Sequence, residues 1–361
     1  MIVCFIGTRA QLIKMAPIIL RLEQRGIPLR LVLTGQHRET MVQLLKDFGI
    51  RSEPRRLYDG AEITGLIQMG LWFLRSLWRC LWDHGEFLPR DFNGTDIILV
   101  HGDTMSTLLG ALAGKLKGFK VAHIEAGLRS HNLFHPFPEE ITRLAVSRLA
   151  DLAYCPGEWA YRNLDGTAAK RIDTLRNTLA DALEHARQSC SGPPPAFGGR
   201  TFGIASIHRF ESISSKTRLT AIVGMIEEAA LTCPIVFVLH PSTRKKMNRF
   251  DLMSRLEGNA NIAVTERMGY VDFVKLMQMA RFVITDGGGN QEELSYLGIP
   301  TLLMRRATER QEGLGTTAVL GNFDRNILRR FLDELPDHKH KHDEASVSAS
   351  NIVVEHLLQC C

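Results

Sequence analysis

Short β-branched runs alternate with helical-period segments almost from end to end of this chain, and they do so in two series. The first series is IVCFIG (Ile2 to Gly7), LRLVLTG (Leu29 to Gly35), DIILVHG (Asp96 to Gly102), KVAHIEAG (Lys120 to Gly127) and LAYCP (Leu152 to Pro156). Each run reads as a buried strand followed by a loop and a helix, the pattern of a parallel α/β sheet. The alternation stops at SCSGPPPAFGGR (Ser189 to Arg200), a Pro/Gly-rich piece that continues neither element and reads as a linker. It resumes with TFGIASIH (Thr201 to His208), PIVFVLHP (Pro234 to Pro241), NIAVTE (Asn261 to Glu266), RFVITDGG (Arg281 to Gly288) and IPTLLMRR (Ile299 to Arg306).

A chain of 361 residues favours two domains of roughly 150 to 200 residues each. The expected architecture is two doubly wound domains facing one another, residues 1–185 and 201–345, joined by a linker over 186–200. NIVVEHLL (Asn351 to Leu358) has the apolar spacing of a last helix, expected over about 346–361 and packed back on the first domain. PDHKHKHDEAS (Pro336 to Ser346) reads as a solvated basic loop. LWFLRSLWRCLW (Leu71 to Trp82) gathers Trp72, Trp78 and Trp82 with Arg75 and Arg79, which suits either a membrane-surface or partner helix or a core or subunit-interface helix.

Composition excludes several classes. Hydrophobic content of 45% and charged content of 23% belong to a globular chain. No apolar run reaches the roughly 18 residues of a spanning helix, and Met1 leads directly into a strand, so no membrane insertion and a cytoplasmic location are expected. The seven cysteines are scattered without a C-x-x-C pair, which suggests neither a disulfide framework nor a metal site. A net charge of +5 fits a polyanionic small ligand, and no basic block with interleaved aromatics points to nucleic acid.

Polar residues fall at nearly every strand end, where open parallel sheets bind ligands. Arg9 and Lys14 follow the first strand, Gln36 and His37 the second, and Asp103 the third; Glu125 ends the fourth. The second series offers His208 with Arg209, then His240, then TDGGGNQEE (Thr285 to Glu293). In that last stretch Gly287, Gly288 and Gly289 let backbone N–H groups approach phosphate oxygens at a helix N-terminus, and Glu293 is placed to accept ribose hydroxyls. The spacing matches neither a P-loop nor G-x-G-x-x-G, which leaves a sugar nucleotide. Its diphosphate calls for cations, for which Arg9, Lys14, Arg209 and Arg310 are candidates. Structural roles compete with these: Arg310 with Glu309 or Glu312, Glu125 with Arg129, and Glu139 or Glu140 with Arg143.

GTRAQLIKMAP, TGQHRE, HGDT, HIEAGLRS with PFPEEITR, NTLADAL, HRFES, TDGGGNQEE and ATERQE occur in this order. The succession resembles the UDP-N-acetylglucosamine 2-epimerase family, more closely its non-hydrolysing bacterial branch. The resemblance implies two Rossmann-like domains of the glycosyltransferase-B type, the substrate UDP-N-acetylhexosamine in the cleft between them, no metal or cofactor, and a homodimer. By motif it implies Asp103, Glu125 and Glu139 as catalytic carboxylates with His208 opposite. Arg9, Lys14, Gln36, His37, Arg143, Arg209 and His240 would line the substrate. Phe273 would lie by the uracil, Gly287 to Gly289 at the phosphates, Glu293 on the ribose and Arg310 on the diphosphate.

The reaction so implied interconverts UDP-N-acetylglucosamine and UDP-N-acetylmannosamine. The proton at sugar C2 is not acidic, so UDP must leave C1 before a base can take it, giving a glycal double-bonded between C1 and C2. Acid/base groups on both ring faces are then needed to invert C2. Departures from the family pattern touch the nucleotide side: Ala10-Gln11 where Pro-Glu is usual, Gly287 for a serine, and TERQE for TERPE. Asp59-Gly60 stands before AEIT (Ala61 to Thr64) in place of an Arg-Gln pair, which puts activation by a second substrate molecule in doubt. The alternatives are a hydrolysing 2-epimerase, a glycosyltransferase using a UDP-sugar, and a catalytically inactive sensor.

Overall fold

The computed structural model describes residues 1–361 apart from 36–37, 61–64, 84, 91–93, 133–136, 189–195, 309, 336–346 and 361. Gln36, His37, AEIT, most of the Pro/Gly-rich linker and the HKHKH segment therefore lie outside the described residues. The chain forms two compact units, Met1–His185 with Ala345–Cys361, and Ala186–Glu344.

The first unit holds β1 (Ile2–Ile6), β2 (Leu29–Leu33), β3 (Pro54–Arg56), β4 (Ile97–His101), β5 (Lys120–Ile124), β6 (Leu152–Cys155) and β7 (Lys170–Asp173). They form one sheet in the order β3-β2-β1-β4-β5-β6-β7, every neighbouring pair parallel. β1 and β4, at the centre, are buried at every residue, which is why they read as unbroken apolar runs and not as alternating ones.

Two of the crossover helices begin with a side-chain cap. Thr8 and Gln11 make a capping box at the start of the helix Arg9–Gln24, and Thr104 caps Met105–Lys117, which ends on Gly118 in the left-handed conformation. The helix Ala349–Cys360 lies against this unit: Val353, Val354 and Leu357 are buried, the Ser350 backbone and hydroxyl both bond Asp181, and Tyr154 meets His356 at 3.0 Å.

The helix Leu66–Trp82 puts Trp72, Ser76 and Cys80 into the core. Its opposite face, Ile67, Leu71, Leu74, Trp78 and Trp82, is between 51% and 82% exposed, with the Trp78 and Trp82 rings stacked. Both sequence readings of this helix thus hold half of it each: one side is core, the other an apolar stripe.

The second unit holds β8 (Gly203–Ser206), β9 (Ile235–Leu239), β10 (Ile262–Glu266), β11 (Val283–Thr285), β12 (Thr301–Leu303) and β13 (Ala318–Leu320). Their order is β10-β9-β8-β11-β12-β13, again wholly parallel. Both sheets reverse their winding once, between β1 and β4 in the first and between β8 and β11 in the second. In open α/β sheets such a reversal opens a crevice outside the strand carboxyl ends.

Candidate active site

At the first reversal the loops after β1 and β2 come into backbone contact. A Cβ on Gly35 would sit 1.9 Å from the Gly7 carbonyl oxygen, so only glycine fits there. Gln11 ties this floor together. Its Oε1 accepts from the Gly7 and Thr8 amides at 2.8 and 3.1 Å. Its Nε2 donates to the His101 carbonyl at 2.6 Å and lies 2.9 Å from both the Thr104 and Thr107 hydroxyls. The side chain thereby joins the end of β1 to the end of β4.

Glu125, just after β5, has φ of 61°, a left-handed backbone uncommon for a residue with a side chain. Its Oε2 takes Lys14 Nζ at 2.8 Å and His101 Nε2 at 3.1 Å, and all three side chains are nearly buried. Burial opposes ionisation of this carboxyl, but Lys14 and His101 outweigh it and hold the group well below the usual carboxylate range. His123, two residues back, gives its Nε2 to the Gly102 carbonyl at 2.8 Å; burial pushes its pKa down to about 4, so the ring is neutral near pH 7.

Asp103 is held by Arg143, whose Nε and Nη2 reach its Oδ2 at 2.9 and 2.6 Å. Arg143 is shared with Glu140, which also accepts from Arg129 and from the Ser130 amide. Glu140 is completely buried. Burial raises its pKa, and the Ser130, Arg129 and Arg143 donors overcome that to bring it down to about 2. Arg129 therefore serves Glu140 and not Glu125. Glu139 starts the helix Glu139–Leu149, with Oε2 buried and without a hydrogen-bond partner among the described residues.

At the second reversal, buried Asp286 accepts the backbone amides of His208 at 3.0 Å and Arg209 at 2.9 Å. His208 Nδ1 lies 3.5 Å from the same carboxylate, and its ring stacks on His240 with centroids 5.0 Å apart. Burial, then the neighbouring His208, lower the His240 pKa. A Cβ on Gly287 would meet His208 Cε1 at 2.9 Å, while one on Gly289 would meet open space. Gly287 therefore faces the imidazole, and the chain from Gly288 onward forms the helix Gly288–Leu297.

Along that helix Gln291 bonds Thr308 and the carbonyls of Arg310 and Glu312, fastening the 306–312 loop. Arg310 pairs with buried Glu292, with Glu312 more distant at 3.9 Å. Buried Glu293 lies against Tyr270; burial first, then this carboxylate, raise the phenol well above its usual value. Phe273 is half-buried on the helix Tyr270–Met279.

The structure thus brings Lys14 onto Glu125 and Arg143 onto Asp103 in one unit, and groups His208, Arg209, His240 and Gly287 in the other. Arg9 starts the first helix with its Nε buried and without a hydrogen-bond partner among the described residues. Sequence reading passed over His101, Gln11, Asp286 and Tyr270 as site residues. His101 and Asp286 each stood in a motif already singled out, HGDT and TDGGGN, beside a residue that drew the attention instead.

The family model described as UDP-N-acetylglucosamine 2-epimerase matches residues 21–351. The chain belongs to the UDP-N-acetylglucosamine 2-epimerase family. It is 35% identical over 340 residues to a Ralstonia solanacearum protein named "Probable UDP-N-acetylglucosamine 2-epimerase", covering 87% of this chain and 85% of that one. Among solved structures it is similar to the Neisseria meningitidis UDP-GlcNAc 2-epimerase bound to UDP-GlcNAc, with a TM-score of 0.78, 30% identity and 99% of each chain covered. It is also similar to the Methanocaldococcus jannaschii enzyme, with a TM-score of 0.79, 26% identity and 99% of each chain covered. Two doubly wound α/β units of the glycosyltransferase-B class, expected from the sequence, are what this family member has.

Proposed function

We propose that the protein interconverts UDP-N-acetylglucosamine and UDP-N-acetylmannosamine by eliminating and re-adding UDP through a glycal. The observation that carries this reading is the state of the first-unit carboxylates. Glu125 and Asp103 each have one oxygen engaged by cationic donors, and neither second oxygen has a hydrogen-bond partner among the described residues. Oriented carboxylates with a free oxygen are what proton removal and return at C2 require, and Lys14 and His101 favour the ionised form of Glu125. Glu139, with a buried unpaired oxygen, is the third.

In this reading residues 1–185 with the last helix process the sugar, and residues 201–345 hold UDP. Departure of UDP from C1 is eased by Arg9, Arg209 and Arg310 on the diphosphate. His208, with His240 against it, sits at the phosphates, Glu293 at the ribose and Phe273 at the uracil. The exposed stripe from Ile67 to Trp82 supports a homodimer, since an apolar face of this kind on a helix marks an interaction surface. Among the described residues no helix is long and apolar enough to cross a membrane. We place the enzyme in the cytoplasm, supplying a hexosamine for surface polysaccharide.

Proton NMR of the protein with UDP-N-acetylglucosamine in deuterated water tests the reading. UDP-N-acetylmannosamine carrying deuterium at C2 is the expected product. Free N-acetylmannosamine with UDP would replace this function with the hydrolysing one, and unchanged substrate without an acceptor would remove it.

A further inference from the structure

Three side chains that are far apart in the chain meet on one carboxylate oxygen. Lys14 comes from the helix after β1, His101 from the last position of β4, and Glu125 from just after β5. Lys14 Nζ and His101 Nε2 both address Oε2, at 2.8 and 3.1 Å. Lys14 bonds Oε2 and His101 crowds it, so Oε1 is the less encumbered basic position.

The tautomer of His101 follows from the same surroundings. Both ring nitrogens are buried and neither completes a well-aligned hydrogen bond among the described residues, but Nε2 is the one that lies 3.1 Å from Glu125 Oε2. A buried N–H far from any acceptor is costly, and the Glu125 carboxylate is the acceptor at hand, so the ring proton belongs on Nε2, the nitrogen facing Glu125. The backbone that carries the ring is held, because its carbonyl receives both Gln11 Nε2 and the Thr107 hydroxyl, each at 2.6 Å, and the side chain is buried.

Around Glu125 the charged and titratable groups are Lys14 from the first helix, His101 from β4 and His123 from β5. Arg176 lines the small polar cavity beside it together with Thr174, Asn177 and Thr178. Of these, His101 and Lys14 are the ones in contact with the carboxylate.

We propose that His101 is a positioning residue for Glu125: with Lys14 it locks Oε2 and so makes Oε1 the oxygen that exchanges a proton with sugar C2. The inference rests on the epimerase reading. In the step it serves, the C2–H bond breaks and its electron pair becomes the C1–C2 π bond. The C1–O bond breaks with its pair leaving on the UDP β-phosphate, and the proton bonds to Oε1. A carboxylate free to rotate would present either oxygen and lose the aim.

The test compares His101→Phe, which keeps ring volume but removes the donor, with His101→Gln, which keeps an N–H donor. His101→Phe is expected to lower kcat on the order of 10- to 100-fold, with KM for the sugar nucleotide within about threefold. The acid limb of its kcat/KM profile is expected to move to higher pH, because a carboxylate that loses a donor ionises less readily. His101→Gln is expected to recover most of kcat. A folded His101→Phe with wild-type kcat and an unmoved acid limb, or a His101→Gln as impaired as His101→Phe, overturns the inference alone. A wild-type protein that leaves UDP-N-acetylglucosamine unchanged overturns the functional reading beneath it, so the two failures are told apart.

Discussion

Glu140→Gln should destabilise the first unit by about 2–3 kcal/mol at neutral pH, although Glu140 is not among the three carboxylates assigned to chemistry. The carboxylate is completely buried and collects Arg129, Arg143 and the Ser130 amide. Its depression from 4.5 to about 2 corresponds to about 3 kcal/mol, at roughly 1.4 kcal/mol per tenfold change in acidity. Removing one partner of a buried ion pair costs about 3–5 kcal/mol when the other charge stays buried. Arg129 and Arg143 are 21% and 20% exposed and can regain some water, which brings the expectation to the lower figure.

The pH dependence has a definite sign. A carboxyl whose folded pKa lies below its unfolded one contributes fully above the unfolded value near 4.5 and loses that contribution as pH falls through about 2. The gap between wild type and Glu140→Gln should therefore be constant from about pH 8 to 5.5 and close below about 4.5. Urea unfolding followed by tryptophan fluorescence reads the right unit, because all four tryptophans, Trp72, Trp78, Trp82 and Trp159, lie in it. A gap below about 0.5 kcal/mol at pH 7, or one that widens on acidification, would refute the reasoning.

Gly35→Ala should destabilise the same unit by about 1–3 kcal/mol or more, since its Cβ would lie 1.9 Å from a backbone oxygen; a thermal melt unchanged from wild type would contradict the packing. Asp103→Asn and Glu139→Gln should each cut turnover by about 100-fold or more while UDP affinity by calorimetry stays within about threefold, and wild-type rates in either would remove that carboxylate from the mechanism. Leu74→Glu with Trp78→Glu should turn a dimer into a monomer in sedimentation; a wild-type protein already monomeric at micromolar concentration would end the dimer reading.

How much of this could be read from the chain depended on burial. The ten strands expected from apolar runs are all present; the inner parallel strands are buried on both faces and must be apolar throughout, while β10, at an edge, was legible from its apolar Ile262 to Val264. β3, β7 and β13 escaped notice. They are edge strands of three or four residues, and PRR and KRID carry the charge that edges tolerate. In the site, strand-end residues were legible as a class, since the position of a loop follows from the strand before it. Their partners were not. Spacing along a helix suggests Glu139 or Glu140 for Arg143, and the structure adds Asp103, 40 residues away. Lys14 reaches Glu125 across 111 positions, a contact that depends on strand register and not on local pattern. Arg310 likewise adds Glu292 on the adjoining helix to Glu312 of its own segment, which sequence spacing did suggest.

The two winding reversals use carboxylates in opposite ways, and under the proposed function this would divide the labour between the units. In the second, both oxygens of Asp286 accept the His208 amide, Oδ2 also accepts that of Arg209, and the group is wholly buried. Its backbone bonds hold β8's loop beside β11, so it is a fastener. What it fastens is His208, packed against His240 on one side and Gly287 on the other. In the first reversal Asp103 and Glu125 are each gripped through one oxygen, by side-chain cations that come from other elements. Gripping one oxygen fixes direction without consuming basicity. A site that must take a proton from one face of a ring and return it to the other needs the first arrangement, while a site that must hold a leaving group still needs the second.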